Sequence, residues 1–184
     1  MDDDATLMRR IAEGDSGAFR TLVERYEKAG YNFFLRLIGN SEDAEDLTQE
    51  LFVAIFRSAG RYRSEAPFKA FFYRIASNLS ASHLRKRKLR AAPSIDEMAE
   101  QGIDVASTRH EDDPALSLGG REMRRRYEEA LAELPRDWRV ALELKVTGEL
   151  TYEEIAGAMG KSVSAVESIL VRARERIAGK LGDR

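Results

Sequence analysis

The chain is 184 residues long, 34% charged and 43% hydrophobic, with 30 Lys+Arg against 32 Asp+Glu and a formal net charge of −2. That suits one ordinary folded domain or two small ones and excludes wholesale disorder; no apolar run approaches the ~20 residues that cross a bilayer, and the acidic start Met1-Asp2-Asp3-Asp4 lacks the apolar core of a signal peptide. With no Cys, disulfide frameworks, thiolate metal sites and Cys nucleophiles are excluded, and two histidines, His83 and His110, leave little room for His-based metal or acid–base chemistry, so no catalytic residue, metal or cofactor is expected.

Residues 1–92 carry 16 Lys+Arg and 13 Asp+Glu, a net of +3. Gly14-Asp15 breaks a short first helix and caps a second, in which Phe19, Leu22, Val23 and Tyr26 follow 3–4 spacing. A further helix starts at Ser41 as N-cap, with Leu47, Leu51, Ala54 and Ile55 as its apolar stripe. Asp46, Glu50, Val53 and Arg57 share a separate narrow face with Gln49 beside it. Complementing the positive helix N-terminus accounts for Glu42, Asp43 and Glu45, but not for acid continuing to Glu50. Phe68, Phe71, Phe72, Ile75 and Leu79 line another helix, which runs into the basic Arg85-Lys86-Arg87-Lys88 and Arg90. In isolation such a run is a solvated helix end. Directly after an aromatic-rich helix it also suits single-stranded nucleic acid, which pairs cationic grooves with stacking surfaces. No segment alternates strictly enough to be a strand.

Residues 93–120 carry one base, Arg109, and seven acids, a net of −6, together with Pro93, Pro114 and Gly119-Gly120. The block reads as an acidic flexible linker, helical at most in places such as 95–100. Its ~28 residues span roughly 90 Å extended or about 30 Å as a coil.

Residues 121–184 return to a net of +1, with 13 bases and 12 acids. Leu134-Pro135 ends one helix and begins the next, and Gly148 is placed to close it in a left-handed cap. Thr151-Tyr152-Glu153-Glu154 is a capping box, Gly160 ends the short helix after Met159, and Ser162 caps the last one. Two short helices joined by a Gly-containing turn describe a helix-turn-helix. Ile155 and Met159 face inward with small Ala156 at the close approach, and Val166, Ile169, Leu170, Ala173 and Ile177 make the inner stripe of the second helix. Ser164, Ser168, Val171 and Arg172 fall on the opposite face, where a major groove would meet them. The simpler alternative is a helical hairpin with a solvated polar face.

Ala130-Leu131-Ala132-Glu133-Leu134-Pro135, Tyr152-Glu153-Glu154-Ile155-Ala156, Ser162-Val163-Ser164-Ala165-Val166-Glu167-Ser168 and Arg172-Ala173-Arg174 resemble the C-terminal domain of bacterial sigma factors. Asp43-Ala44-Glu45-Asp46-Leu47-Thr48-Gln49-Glu50-Leu51-Phe52 resembles the polymerase-binding segment of the sigma-70 family, and Phe72-Tyr73-Arg74-Ile75-Ala76-Ser77-Asn78 with the basic run resembles its promoter-melting segment. Two domains in this order resemble the small extracytoplasmic-function class. The resemblance implies an all-α protein of two small helical domains: 1–92 of region 2 type, an acidic linker at 93–120, and 121–184 of region 4 type with the helix-turn-helix. It implies core RNA polymerase, promoter DNA and an anti-sigma factor as partners, no membrane insertion, and a cytoplasmic location. By resemblance Asp43, Asp46, Leu47, Gln49 and Glu50 bind core polymerase. Asn78, Ser82, His83, Arg85, Lys86, Arg87 and Lys88 meet the minus-ten element, where a base of the non-template strand is flipped out. Ser164, Glu167, Ser168, Val171, Arg172 and Arg174 meet the upstream element. The chain departs from the family at Ser82, where Asp or Asn is frequent, at His83, where Tyr is, and at Glu167, where Lys or Arg is. The competing reading is an autonomous helix-turn-helix regulator with a helical sensor domain, which would need a dimer to match two half-sites.

Overall fold

The computed structural model describes residues 2–63, 67–90 and 118–182. Among these residues the regular structure is helical, without a strand. The chain divides into two compact units, Met1–Glu100 and Gln101–Arg184. The division falls within the acidic block, and the expected helical stretch at 95–100 lies outside the described residues.

In the first unit, α1 (Asp4–Ala12) starts where the Asp3 carboxylate accepts from the Thr6 N–H at 2.7 Å. Gly14, at φ 92°, breaks the chain, and Asp15 then accepts from the Gly17 and Ala18 N–H groups at 2.8 and 3.0 Å to start α2 (Ser16–Ile38). Hydrogen bonds hold both carboxyls below the usual Asp range: from Thr6 to Asp3, and from Ala18, then Arg10, to Asp15. Helix α3 (Ser41–Ser58) is capped one residue earlier than expected, since Asn40 rather than Ser41 accepts from the Asp43 N–H at 2.9 Å. Asn and Ser are about equally good caps, so sequence alone does not separate them. A 3-10 turn over Ala59–Arg61 follows, then α4 (Phe68–Arg90).

Leu22, Phe33, Phe34, Leu51, Ile55 and Phe72 are fully buried between α2, α3 and α4. Burying each such side chain stabilises the unit by about 1.5–3 kcal/mol. The inward strip of α4 differs from the expected one. Phe68, Phe72, Tyr73, Ala76, Ser77 and Ser80 are buried, whereas Phe71, Ile75 and Leu79 are half-exposed. Because α4 packs on both α2 and α3, it needs small residues at close approach. A reading by hydrophobicity passes over Ala and Ser at such positions.

The second unit contains α5 (Leu118–Ala132), α6 (Arg136–Val146), α7 (Tyr152–Met159) and α8 (Val163–Gly182). Gly119 and Gly120, expected in the linker, lie in the first turn of α5, where the helix-weakening effect of Gly matters least. Gly148 is not a left-handed cap; Glu149, at φ 51°, takes that conformation. Gly148 is needed for space instead. A Cβ there would stand 2.5 Å from the Leu144 carbonyl oxygen, and the same oxygen accepts from the Leu150 N–H at 3.1 Å. The chain turns tightly against the last turn of α6 and buries Leu150.

Candidate interfaces for nucleic acid and protein

The capping box forms as expected. Glu154 N–H donates to Thr151 Oγ1 at 3.2 Å, and Thr151 N–H donates to Glu154 Oε2 at 2.8 Å. Gly160 closes α7 at φ 63°, and Ser162 Oγ accepts from the Ala165 N–H at 3.3 Å to start α8. Lys161 in the turn pairs with Asp137 on α6 at 2.8 Å. Helix α8 packs on α5, α6 and α7 through buried Val166, Leu170, Ala173 and Ile177; Ile169 and Met159, expected inside, are half-buried. The far end of α8 is fastened to α5 by the Lys180–Glu133 pair at 2.7 Å, which holds the Glu133 carboxyl below its usual range, and by Arg126 donating to the Lys180 carbonyl.

This packing leaves Ser164, Glu167, Ser168, Val171, Arg172 and Arg174 exposed. Ser164 Oγ lies 3.2 Å from Ser162 Oγ. Among the described residues, Glu167, Arg172 and Arg174 make no ion pair. Their charges are available to an outside partner. Arg can reach guanine edges or phosphate, and Ser can bond either.

On α3, burial of Ala44, Leu47, Thr48, Leu51, Phe52 and Ile55 leaves Glu42, Glu45, Asp46, Gln49, Glu50, Val53, Phe56 and Arg57 exposed. Acid at one end of this surface gives way to apolar Val53 and Phe56, 46% and 51% exposed, at the other. Phe56 rests edge-on against Phe19 at 5.2 Å.

On α4, Asn78 is exposed, Ser82 half-buried, and Arg85, Lys86, Arg87, Lys88 and Leu89 exposed in succession, so the helix end stands clear of the core on every side. Phe72 and Tyr73 are core residues. Phe71 instead lies 5.1 Å from the Tyr62 ring, with the Arg74 guanidinium 5.4 Å above its face.

Models of the Sigma-70 region 2 and Sigma-70, region 4 families match residues 22–90 and 124–177. The RNA polymerase sigma-H factor of Pseudomonas aeruginosa is 31% identical over 179 residues, 96% of this chain and 92% of that protein. The ECF RNA polymerase sigma-E factor of Haemophilus influenzae is 33% identical over 181 residues, 97% and 95% of the two. The chain belongs to the sigma-70 family of RNA polymerase sigma factors, in the extracytoplasmic-function class. A solved sigma factor, RpoE of Bartonella quintana in complex with the anti-sigma factor NepR, shares the fold at a TM-score of 0.67 and 23% identity, over 90% of this chain and 98% of that one.

In this sigma factor the residues expected to bind core polymerase do not form one surface. Asp46, Gln49 and Glu50 share the exposed face, but Leu47 is 4% exposed and supports that face from beneath. Asp43 is half-buried and turned toward α4, where its Oδ2 lies 3.4 Å from His83 Nε2. Sequence reasoning missed the exposure of Phe56 and the Tyr62–Phe71–Arg74 cluster. Phe56 follows Val53 by three positions, so helical spacing alone places it beside that face. Tyr62 lies outside any helix, and no periodicity signals it. Among the described residues no helix is long and apolar enough to cross a membrane, and no group of three or more acids and histidines is placed to hold a metal.

Proposed function

We propose that this sigma factor docks on core RNA polymerase through the exposed α3 face, opens the minus-ten element with α4, and reads the upstream element with α8. The observation that carries the reading is the α3 surface: acid continues past the first turn at Asp46 and Glu50, on a face the fold leaves free. Charge there sets register and specificity, and Val53 and Phe56 supply apolar contact. Asn78, Ser82 and Arg85 lie along one side of α4; Arg85–Lys88 attract phosphate, and Phe71 with Tyr62 and Arg74 offers a stacking surface. Ser164, Glu167, Ser168, Val171, Arg172 and Arg174 meet the upstream major groove.

The domains are 1–92, of region 2 type, and a region 4 type domain, expected at 121–184, that takes in the start of α5 at Leu118. The acidic tether between them, 93–117 once the first residues of α5 are set aside, lets them reach separated DNA sites, and its net charge of −6 suits basic channels of the polymerase. The factor is a binding subunit rather than an enzyme, needs no cofactor, and works in the bacterial cytoplasm, where polymerase and promoters are. An anti-sigma factor is a further partner; the similar Bartonella quintana protein was solved with one.

The test is affinity for purified core polymerase. The wild-type chain is expected to bind one to one, and Asp46→Arg about tenfold or more weaker, with an unchanged helical spectrum and melting temperature. Equal affinity of the variant would remove α3 from the docking role. Tight dimeric binding to duplex DNA without polymerase would favour an autonomous regulator.

A further inference from the structure

Asp43 and His83 come from helices with different tasks, yet their side chains meet. His83 Nε2 lies 3.4 Å from Asp43 Oδ2, an ion-pair distance when the imidazole carries its second proton and not a formed hydrogen bond; the two side chains are 24% and 36% exposed, and Nε2 itself is sealed from solvent with no hydrogen-bond partner. While the contact lasts, Nε2 cannot reach a nucleotide. At about 100° per residue, His83 also points away from the side of α4 that carries Asn78, Ser82 and Arg85. Asp43 is held at its own end, since its N–H donates to Asn40 Oδ1 in the first turn of α3.

The position of the contact along α4 matters. Ser80 is the last fully buried residue of the helix, and residues 85–89 are exposed on every side. Among residues 81–89, the approach of His83 to Asp43 is the one ion-pair contact, and no side chain there makes a hydrogen bond. Without it, roughly the last ten residues of α4, a lever of about 15 Å, would be steered by helix stiffness and apolar contact alone.

We infer that Asp43 is a positioning residue for promoter opening: through His83 it fixes the basic end of α4 relative to the docking face of α3, and it does not itself contact polymerase. The inference rests on the roles proposed above for α3 and α4. A group that acts on DNA through its neighbour has a recognisable signature. Its loss slows opening by assembled holoenzyme but spares affinity for core, and the effect vanishes when the neighbour is already gone.

The experiment uses reconstituted holoenzyme at saturating core on a promoter fragment that the wild-type opens. Asp43→Ala and His83→Ala are each expected to slow open-complex formation about two- to five-fold, the range of a part-exposed ion pair. The double variant should be no slower than either single one. His83→Gln, whose amide can donate to the carboxylate, should keep most of the rate beside Asp43 and lose it beside Asp43→Ala. Core affinity should match wild type throughout. The inference is overturned if Asp43→Ala weakens core binding while opening at saturation is unchanged, if the two slowing factors multiply in the double variant, or if the variants melt earlier with no change in opening. A wild-type holoenzyme that opens no promoter would defeat the proposed roles and the inference together.

Discussion

A methyl group added at Gly148 would meet the Leu144 carbonyl oxygen at 2.5 Å, so the backbone of the α6–α7 turn would have to move. Gly148→Ala should therefore destabilise the C-terminal unit by about 1–3 kcal/mol. Its neighbour behaves oppositely: Glu149 holds a left-handed φ of 51°, which costs an L-residue roughly 1–2 kcal/mol. Glu149→Gly relieves that strain but adds freedom to the unfolded chain and gives up an interaction of Glu149, so the net change should stay within about 1 kcal/mol of wild type. Trp138, the one tryptophan, lies on α6, and urea melts followed by its fluorescence would report on this unit. A Glu149→Gly destabilised by more than about 1 kcal/mol beside an unaffected Gly148→Ala would reverse the assignment. The sequence signalled a glycine-dependent turn at this place but not its mechanism. Positive φ and close approach both call for glycine, and only the path of the Leu144 carbonyl separates them.

The helices show what local patterns can and cannot reveal. The Thr151–Glu154 box, the Gly14-Asp15 break and the inner stripe Val166, Leu170, Ala173 and Ile177 of α8 were legible because each depends on neighbours in the chain. The buried strip of α4 was not, because it is set by two partner helices at close range and uses Ala76, Ser77 and Ser80. The contact of Asp43 with His83, forty residues apart, left no trace in either local pattern. Helical angle placed Ser164, Ser168, Val171 and Arg172 on the outer face of α8, and the family resemblance added an oddity: Glu167 is exposed and, among the described residues, makes no ion pair on the surface proposed to meet phosphate-rich DNA. A carboxylate there repels phosphate but can accept from the cytosine N4 amino group. Glu167→Lys should raise affinity for the upstream element and shift preference at one position from cytosine toward guanine, as read by selection of holoenzyme-bound promoters from a randomised pool. Identical selected sequences and affinity would remove Glu167 from base recognition.

For the molecule as a whole, the net charge of −2 is an average over unlike parts: +3 for residues 1–92, −6 for 93–120 and +1 for 121–184. Neither folded part is strongly basic. Electrostatic attraction to DNA is correspondingly modest, and most promoter affinity should come from the complex with polymerase, which presents both parts to DNA at once. The measurement that tests this most directly is transcription in vitro by purified core polymerase on genomic fragments from the source bacterium, with and without the chain. Specific start sites that require the chain, and undetectable duplex binding by the chain alone at the same concentration, are the predicted result. Starts unchanged by its addition, or specific duplex binding without polymerase, would contradict it.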